Sequence, residues 1–112
     1  MTLEQIAYFV ASAETGSFSA AAKRLYVTHS SVSRGVSTLE RELGVSLLVR
    51  GRKTLSCTSA GQEFLVRGRE ILKETMALRE TMRKFQTNRR LHIVSIGAYI
   101  PKRSEERRVG KE

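Results

Sequence analysis

The chain has 112 residues, of which 20 are Lys or Arg and 11 are Asp or Glu, so its formal net charge is +9. The length suits one compact domain with an extension, and a hydrophobic share of 40% supports a small core, which excludes wholesale disorder. A positive excess of this size predicts an anionic partner, either a nucleic acid or an acidic membrane surface.

Several function classes find no support in the composition. No apolar run approaches the roughly 20 residues of a membrane-spanning helix, and the start MTLEQIAYFV lacks the basic region of a secretory signal. Cys57 is the single cysteine, which excludes an internal disulfide and fits the reducing cytoplasm. His29 and His92 lie far apart without metal-ligand spacing, and no catalytic constellation or phosphate loop is present. We therefore expect no membrane association, metal, cofactor or enzymatic activity.

The first two segments have helical spacing. The first runs from about Leu3 to Thr15 and is followed by Gly16, a residue typical of a left-handed helix end. Ser17 is placed to cap a short second helix that ends at Leu25. The side chains expected to face the interior are Leu3, Ile6, Phe9, Val10 and Ala13 in the first helix and Phe18, Ala21, Ala22 and Leu25 in the second.

A third helix is predicted from about His29 to Leu43, after a tight turn, with Thr28 as its cap and Gly44 as its end. Its apolar stripe consists of Val32, Val36, Leu39 and Leu43. The opposite face carries Ser30, Ser33, Arg34, Ser37 and Arg41. This face is hydroxyl-rich and basic, whereas an ordinary solvated face mixes Glu with Lys at i,i+4 spacing.

A helix, a short helix, a tight turn and a polar basic helix form the arrangement of a helix-turn-helix. Short polar side chains let the last helix approach base edges in the major groove, where Arg can reach guanine. An ordinary three-helix bundle would share the apolar stripe and is the alternative. His29 could present a ring nitrogen to a base or be an inconsequential surface residue. Gly35 could permit close approach of a neighbour or be a tolerated substitution, and Lys23 and Arg24 could touch phosphates or only solvent.

The pattern changes between Val45 and Thr58, where Leu47–Arg50 and Thr54–Cys57 predict two short strands around a basic tip. We interpret this segment as a β-hairpin wing. Its basic residues Arg50, Arg52 and Lys53 suit contact with phosphates or the minor groove, although a solvated hairpin tip is the alternative. Cys57 is expected to pack as a small apolar residue on the inner side of the wing rather than to serve a redox role.

A long fourth helix is predicted to begin after Thr58 and to continue to about Asn88. Phe64, Ile71, Leu78 and Phe85 recur every seven residues, and the series Gly61, Gly68, Thr75 and Met82 completes the seam. Such a seam needs a partner, and we expect a second copy of the chain. The predicted dimerisation residues are Phe64, Ile71, Leu78, Met82 and Phe85. Beyond this helix, Leu91–Ile96 predicts one strand, and residues 101–112 are polar and without a core face.

Residues 1–72 resemble the N-terminal domain of LysR-type transcriptional regulators. The residues that carry the resemblance are Leu3, Phe9, Gly16–Phe18, Ala21–Leu25, Val32–Arg34, Leu39–Glu40, Leu43–Val45, Leu47, Arg50 and Thr58–Gly61. The chain departs from residues common in the family at His29, Ser30, Gly35, Leu48 and Cys57.

The resemblance implies a mainly α fold, a winged helix-turn-helix with a small β-hairpin wing and a long C-terminal linker helix. It implies a sequence-specific bacterial transcription regulator that binds double-stranded DNA as a homodimer, at an inverted repeat in a promoter. The residues matching its base contacts are His29, Ser30, Ser33 and Arg34. Contacts to the DNA backbone are expected from Thr28, Ser31, Arg50, Arg52 and Lys53.

The predicted domain organisation has four parts. Residues 1–58 form the winged helix-turn-helix and residues 59–88 the linker and dimerisation helix. Residues 89–100 are expected to be the first strand of a truncated effector-binding domain, so a small-molecule effector would act only on a full-length protein. Residues 101–112 are expected to be a disordered or non-native tail. A competing hypothesis is a protein-interaction module whose long helix is the working surface, which salt-sensitive binding to DNA would distinguish.

Overall fold

The computed structural model describes residues 1–86, which form four helices and one two-stranded antiparallel sheet. In chain order the elements are α1 (Leu3–Thr15), α2 (Phe18–Leu25), α3 (His29–Leu43), β1 (Leu48–Arg50), β2 (Leu55–Cys57) and α4 (Ser59–Arg83). This order confirms the predicted fold class, a winged helix-turn-helix followed by a long helix. The strand predicted at Leu91–Ile96, the predicted domain 89–100 and the predicted tail 101–112 lie outside the described residues.

The chain divides into two units. The first, Met1–Thr75, contains α1 to α3, the hairpin and the first part of α4, and the second begins at Met76 and is described as far as residue 86. The predicted domain boundary between residues 58 and 59 therefore falls inside the first unit, where it coincides with the start of α4.

The helix ends follow the predicted caps. The hydroxyl oxygen of Thr28 accepts the backbone N–H of Ser31 at 3.1 Å, and that of Thr58 accepts the N–H of Gly61 at 2.9 Å. Gly16 and Gly44 take the left-handed conformation, with φ of 75° and 72°, that closes α1 and α3. Each predicted cap thus fixes the end of the helix to which it was assigned.

The interior of the first unit consists of two apolar clusters. One, around Phe9, lies between α1, α3, the hairpin and the start of α4, and the other, around Val32, lies between α1, α2 and α3. Phe9, Val32, Val36 and Leu39 are fully buried, so the predicted stripe of α3 is confirmed over three of its four members. The fourth, Leu43, is the last residue of α3 and is exposed, as is Leu3 at the first position of α1. Both predictions of burial were wrong because the helix ends extend beyond the core.

Gly35 has a packing role. A β-carbon at this position of α3 would overlap the ring of Tyr8 on α1, so the absent side chain allows that ring to lie against the helix. Of the two interpretations left open by the sequence, close approach is the one that the packing favours.

The hairpin pairs Leu48 with Cys57 and Arg50 with Leu55, and each strand is one residue shorter than predicted. The Gly51 N–H donates to the Thr54 carbonyl at 3.0 Å and closes the tip. At the other side of β2, the Leu55 N–H donates to the Gly16 carbonyl at 2.9 Å, which ties the wing to the loop between α1 and α2.

The long helix is shorter than predicted, because α4 ends at Arg83 and not near Asn88. Beyond it the Phe85 N–H donates to the Met82 carbonyl at 3.0 Å and the Gln86 N–H to the Arg83 carbonyl at 3.1 Å. These i to i−3 bonds are the tightened turns with which α-helices commonly finish. Phe85 consequently lies past the helix in which its heptad position was predicted.

Candidate nucleic-acid interface

The face of α3 opposite the core carries the four residues that were matched to base contacts. His29, Ser30 and Arg34 are exposed and Ser33 is half-buried, whereas Val32 and Val36 on the core side of the helix are fully buried. From His29 to Leu39 the helix sequence contains no acidic residue. The helix therefore presents hydroxyl, imidazole and guanidinium groups on a surface without nearby carboxylates of its own.

The first turn of α3 has a specific hydroxyl arrangement. Thr28 Oγ1 accepts the Ser31 N–H and also donates to Ser31 Oγ at 2.9 Å. The hydroxyl proton of Thr28 is thus engaged within the cap, whereas the hydroxyl proton of Ser31 can still be donated to a ligand. Exposed N–H groups at a helix N-terminus also favour an anion at this end. The turn can thus bind a phosphate mainly through Ser31 and the backbone.

The three basic residues of the wing differ in how they are held. Arg52 and Lys53 are exposed at the hairpin tip. Arg50 on β1 is placed by contacts to Glu40 and to the Leu48 carbonyl, both at 3.4 Å. The basic part of the wing therefore consists of two exposed cations at the tip and one cation at the strand end that contacts Glu40 and the Leu48 carbonyl.

Phe18 connects the wing to the start of α3. Its ring meets the His29 ring edge to face, with centroids 5.8 Å apart and an interplanar angle of 88°. The guanidinium carbon of Arg50 lies over the same ring at 5.4 Å from the centroid. The sequence predicted Phe18 only as an inward-facing residue of α2. Helical spacing gives the side of the helix on which Phe18 lies, but not that His29 and Arg50 contact its ring.

Glu40 is a structural residue that the sequence reasoning missed. One carboxylate oxygen accepts the N–H groups of Leu47 and Leu48 at 2.7 and 3.1 Å, and the other accepts from Arg50. The side chain thereby holds the segment between α3 and β1 and orients the wing arginine. Its main partners are backbone amides, and no pattern of side chains in the sequence marks such partners.

Glu14 on α1 binds two arginines, Arg24 of α2 at 2.6 Å and Arg69 of α4 at 2.8 Å. Hydrogen bonds from Arg24 and then Arg69 hold the pKa of the Glu14 carboxyl below its ordinary value, against a smaller opposing effect of burial. Arg24, for which a phosphate contact and a solvated position were both open, is engaged within the fold. Lys23 is exposed.

Cys57 lies half-buried at the end of β2 and packs against the main core. Burial raises the pKa of its thiol, with a smaller opposing effect of Arg69. A protonated, partly covered thiol suits the packing role that the sequence predicted.

The residues assigned to dimerisation divide into two groups. Phe64 packs against Phe9 of its own chain, with centroids 5.0 Å apart, and Gly61 and Gly68 are buried on the same side of α4. The first part of the heptad pattern thus packs against the chain's own core, and the assignment of the half-buried Phe64 to the dimer surface stays a prediction. Ile71, in the same unit, is 41% exposed. In the second unit Leu78, Met82 and Phe85 are 62%, 52% and 61% exposed.

Within residues 1–86, no group of three or more His, Cys, Asp and Glu side chains could hold a metal ion. Over the same residues, no helix has the length and apolar character needed to cross a bilayer.

The comparisons with known proteins agree on one family. The model of bacterial regulatory helix-turn-helix proteins of the lysR family matches residues 3–62, more than half of the chain. The HTH-type transcriptional regulator TcbR of Pseudomonas sp. strain P51 is 44% identical over 73 residues, which are 65% of this chain and 25% of TcbR. The chain therefore spans about a quarter of the length of this relative.

Solved structures give the same fold. The CbnR DBD in its DNA complex is 40% identical, with a TM-score of 0.67 over 80% of this chain and 100% of that one. The BenM DBD in complex with benA site 1 DNA is 32% identical, with a TM-score of 0.70 over 76% of this chain and 99% of that one.

Proposed function

Because the chain belongs to the lysR family of bacterial regulatory helix-turn-helix proteins, we propose that it is the DNA-binding part of a transcription regulator and binds duplex DNA sequence-specifically. The observation that carries this proposal is the division of α3 into a fully buried side of valine and leucine and an exposed side that carries Arg34 and has no acid from His29 to Leu39. Two similar domains, those of CbnR and BenM, have been crystallised with DNA.

Base recognition is assigned to the exposed side of α3. Arg34 can form a bidentate pair with guanine O6 and N7, and Ser30 and Ser33 are short enough to let the helix backbone come near the groove floor. His29 can donate or accept one hydrogen bond at a base edge, depending on its tautomer. These four residues would supply the sequence preference.

Contacts to the DNA backbone are assigned to both ends of the domain's polar surface. The Ser31 hydroxyl and the backbone N–H groups that follow Thr28 would bind one phosphate at the start of α3. Arg50, Arg52 and Lys53 would meet the flanking backbone or minor groove from the wing. Such contacts fix the position of the protein and carry little sequence information.

A homodimer would present two copies of this surface to an inverted repeat in a promoter. The exposed apolar side chains Leu78, Met82 and Phe85, and separately Ile71, support an association between copies through α4 and the turn that follows it. A small-molecule effector would act on a further domain of a full-length regulator, since the chain covers 25% of a relative such as TcbR.

We assign no catalytic step and no cofactor to the chain. The match to transcription regulators supports a role in binding alone. A DNA partner in a bacterium would place the protein in the cytoplasm.

Selection of bound duplexes from a random DNA pool tests the proposed function. We expect a preferred site with two related half-sites, and weaker binding to random duplex that falls steeply as salt concentration rises. The absence of salt-sensitive DNA binding would refute the proposal and favour the protein-interaction hypothesis.

A further inference from the structure

Phe18 is the one side chain, among the described residues, that the structure places in ring contact with both the start of α3 and the wing. We propose that Phe18 is a positioning residue that couples the proposed major-groove contact of His29 to the proposed wing contact of Arg50. This inference rests on the proposed DNA binding. It adds that the strength of the His29 contact with DNA depends on the Arg50 contact, and the reverse.

The contact with His29 restricts the orientation of the imidazole. His29 is the first residue of α3 and is exposed, so nothing in its helical position alone would fix its side chain. The edge-to-face arrangement, at 5.8 Å and 88°, is the favourable geometry for two aromatic rings. One side of the imidazole is therefore held by Phe18, and the rest is left to face a ligand.

The contact with Arg50 fixes the wing on the same ring. The guanidinium carbon of Arg50 lies 5.4 Å from the ring centroid, and its Nη2 donates to Oε1 of Glu40 at 3.4 Å. Arginine stacks on aromatic faces and keeps its charge while doing so. The side chain of Arg50 remains 43% exposed, so a phosphate can still approach it.

Phe18 is itself anchored in the core. It is the first residue of α2, whose cap Ser17 accepts the Ala20 N–H at 3.1 Å. Its ring packs against both apolar clusters of the first unit, the one around Phe9 and the one around Val32. The core thus limits where the ring can lie, and within that range the contacts with His29 and Arg50 set its orientation together, so the loss of one contact would shift the ring against the other.

A double-mutant cycle measures this coupling. Dissociation constants of the full chain are compared for His29→Ala, Arg50→Ala and the double variant, on the best duplex recovered from the random pool. Independent contacts would give losses that multiply. We expect the double variant to lose less than the product by at least about twofold, the lower range of coupling between interacting residues.

The cycle is repeated in Phe18→Leu, which keeps an apolar side chain, and in Phe18→Tyr, which keeps the ring. We expect the losses to multiply in Phe18→Leu and the coupling to return in Phe18→Tyr. Leu25→Val, on the same helix and in the same cluster, is the matched control for lost packing and should preserve both coupling and affinity.

The outcomes separate the two proposals. If the parent chain binds no duplex, the proposed function fails and this inference fails with it. If the parent binds and its losses multiply, the DNA-binding function stands and the role of Phe18 is refuted, whether or not Phe18→Leu folds. Coupling that persists in a folded Phe18→Leu would also refute it.

Discussion

Gly61 on the first turn of α4 lies directly against the backbone carbonyl of Leu47. A β-carbon at Gly61 would overlap that carbonyl oxygen. The same oxygen accepts the N–H of Thr58 at 3.0 Å, and Thr58 caps the helix to which Gly61 belongs. The residue before the wing and the start of α4 are therefore joined backbone to backbone, and this junction fixes where α4 begins on the domain core.

Gly61→Ala should destabilise the fold, although alanine is the better helix former by about 1 kcal/mol. The overlap is with backbone, which no side-chain rotation can relieve, and such overpacking costs about 1–3 kcal/mol. Urea unfolding of the variant measures the effect. The control Gln62→Ala, at the exposed neighbouring position, should stay within about 0.5 kcal/mol of the parent. A Gly61→Ala variant as stable as the parent would contradict the packing.

Glu40→Gln should lower the free energy of unfolding by about 1–3 kcal/mol, because hydrogen bonds to a charged acceptor are worth more than neutral ones. The side-chain amide of the glutamine keeps one oxygen that can accept the N–H groups of Leu47 and Leu48. Arg50, however, loses its carboxylate partner. Glu42→Gln is the matched control, since its carboxylate pairs with the exposed N-terminal amine and such pairs contribute little. Equal losses in the two variants, measured by urea unfolding, would disprove the role of Glu40.

Stability should fall at acidic pH partly through Glu14. Its folded pKa is lowered by Arg24 and Arg69, so the stabilisation is present above the unfolded pKa of about 4.3 and is lost as pH falls through the lower folded pKa. Unfolding measured from about pH 6 to pH 3 should therefore be less pH-dependent in Glu14→Gln. Glu63→Gln, an exposed glutamate of α4, is the control. Superimposable pH profiles of parent and Glu14→Gln would contradict the prediction.

The chain should sediment as a dimer, with twice the mass of 12.6 kDa. Leu78→Asp should convert it to a monomer, because a carboxylate would be buried among apolar side chains in the complex. Ala77→Asp, at the adjacent exposed position, should leave the dimer intact. A dimer that tolerates Leu78→Asp would place the association elsewhere.

Much of the fold was predictable because local chemistry decides it. Thr28 and Thr58 cap helices by bonds to amides three residues ahead, and Gly16 and Gly44 take conformations that few other residues tolerate. The stripe Val32, Val36 and Leu39 needed only the helical period.

The remaining features depend on contacts between distant segments. The seven-residue repeat of α4 indicated a buried face but not which residues cover it. Phe64 of this repeat is covered by Phe9 of the same chain. Likewise Glu40 binds backbone amides seven and eight residues away, and Phe18 meets groups from two other elements. Periodicity gives the face of a helix or strand on which a side chain lies. The residues that it contacts there are determined by the tertiary structure.

The most direct test of the account is the base preference of Arg34→Ala, measured by competing the selected duplex and its single-base variants against random DNA. We predict a loss of about 1–3 kcal/mol on the selected site and a relaxed preference at one base pair. The control Arg52→Ala should weaken selected and random duplexes alike and reduce the salt slope by about one unit. An Arg34→Ala variant that discriminates among the duplexes as the parent does would show that the exposed side of α3 does not read DNA.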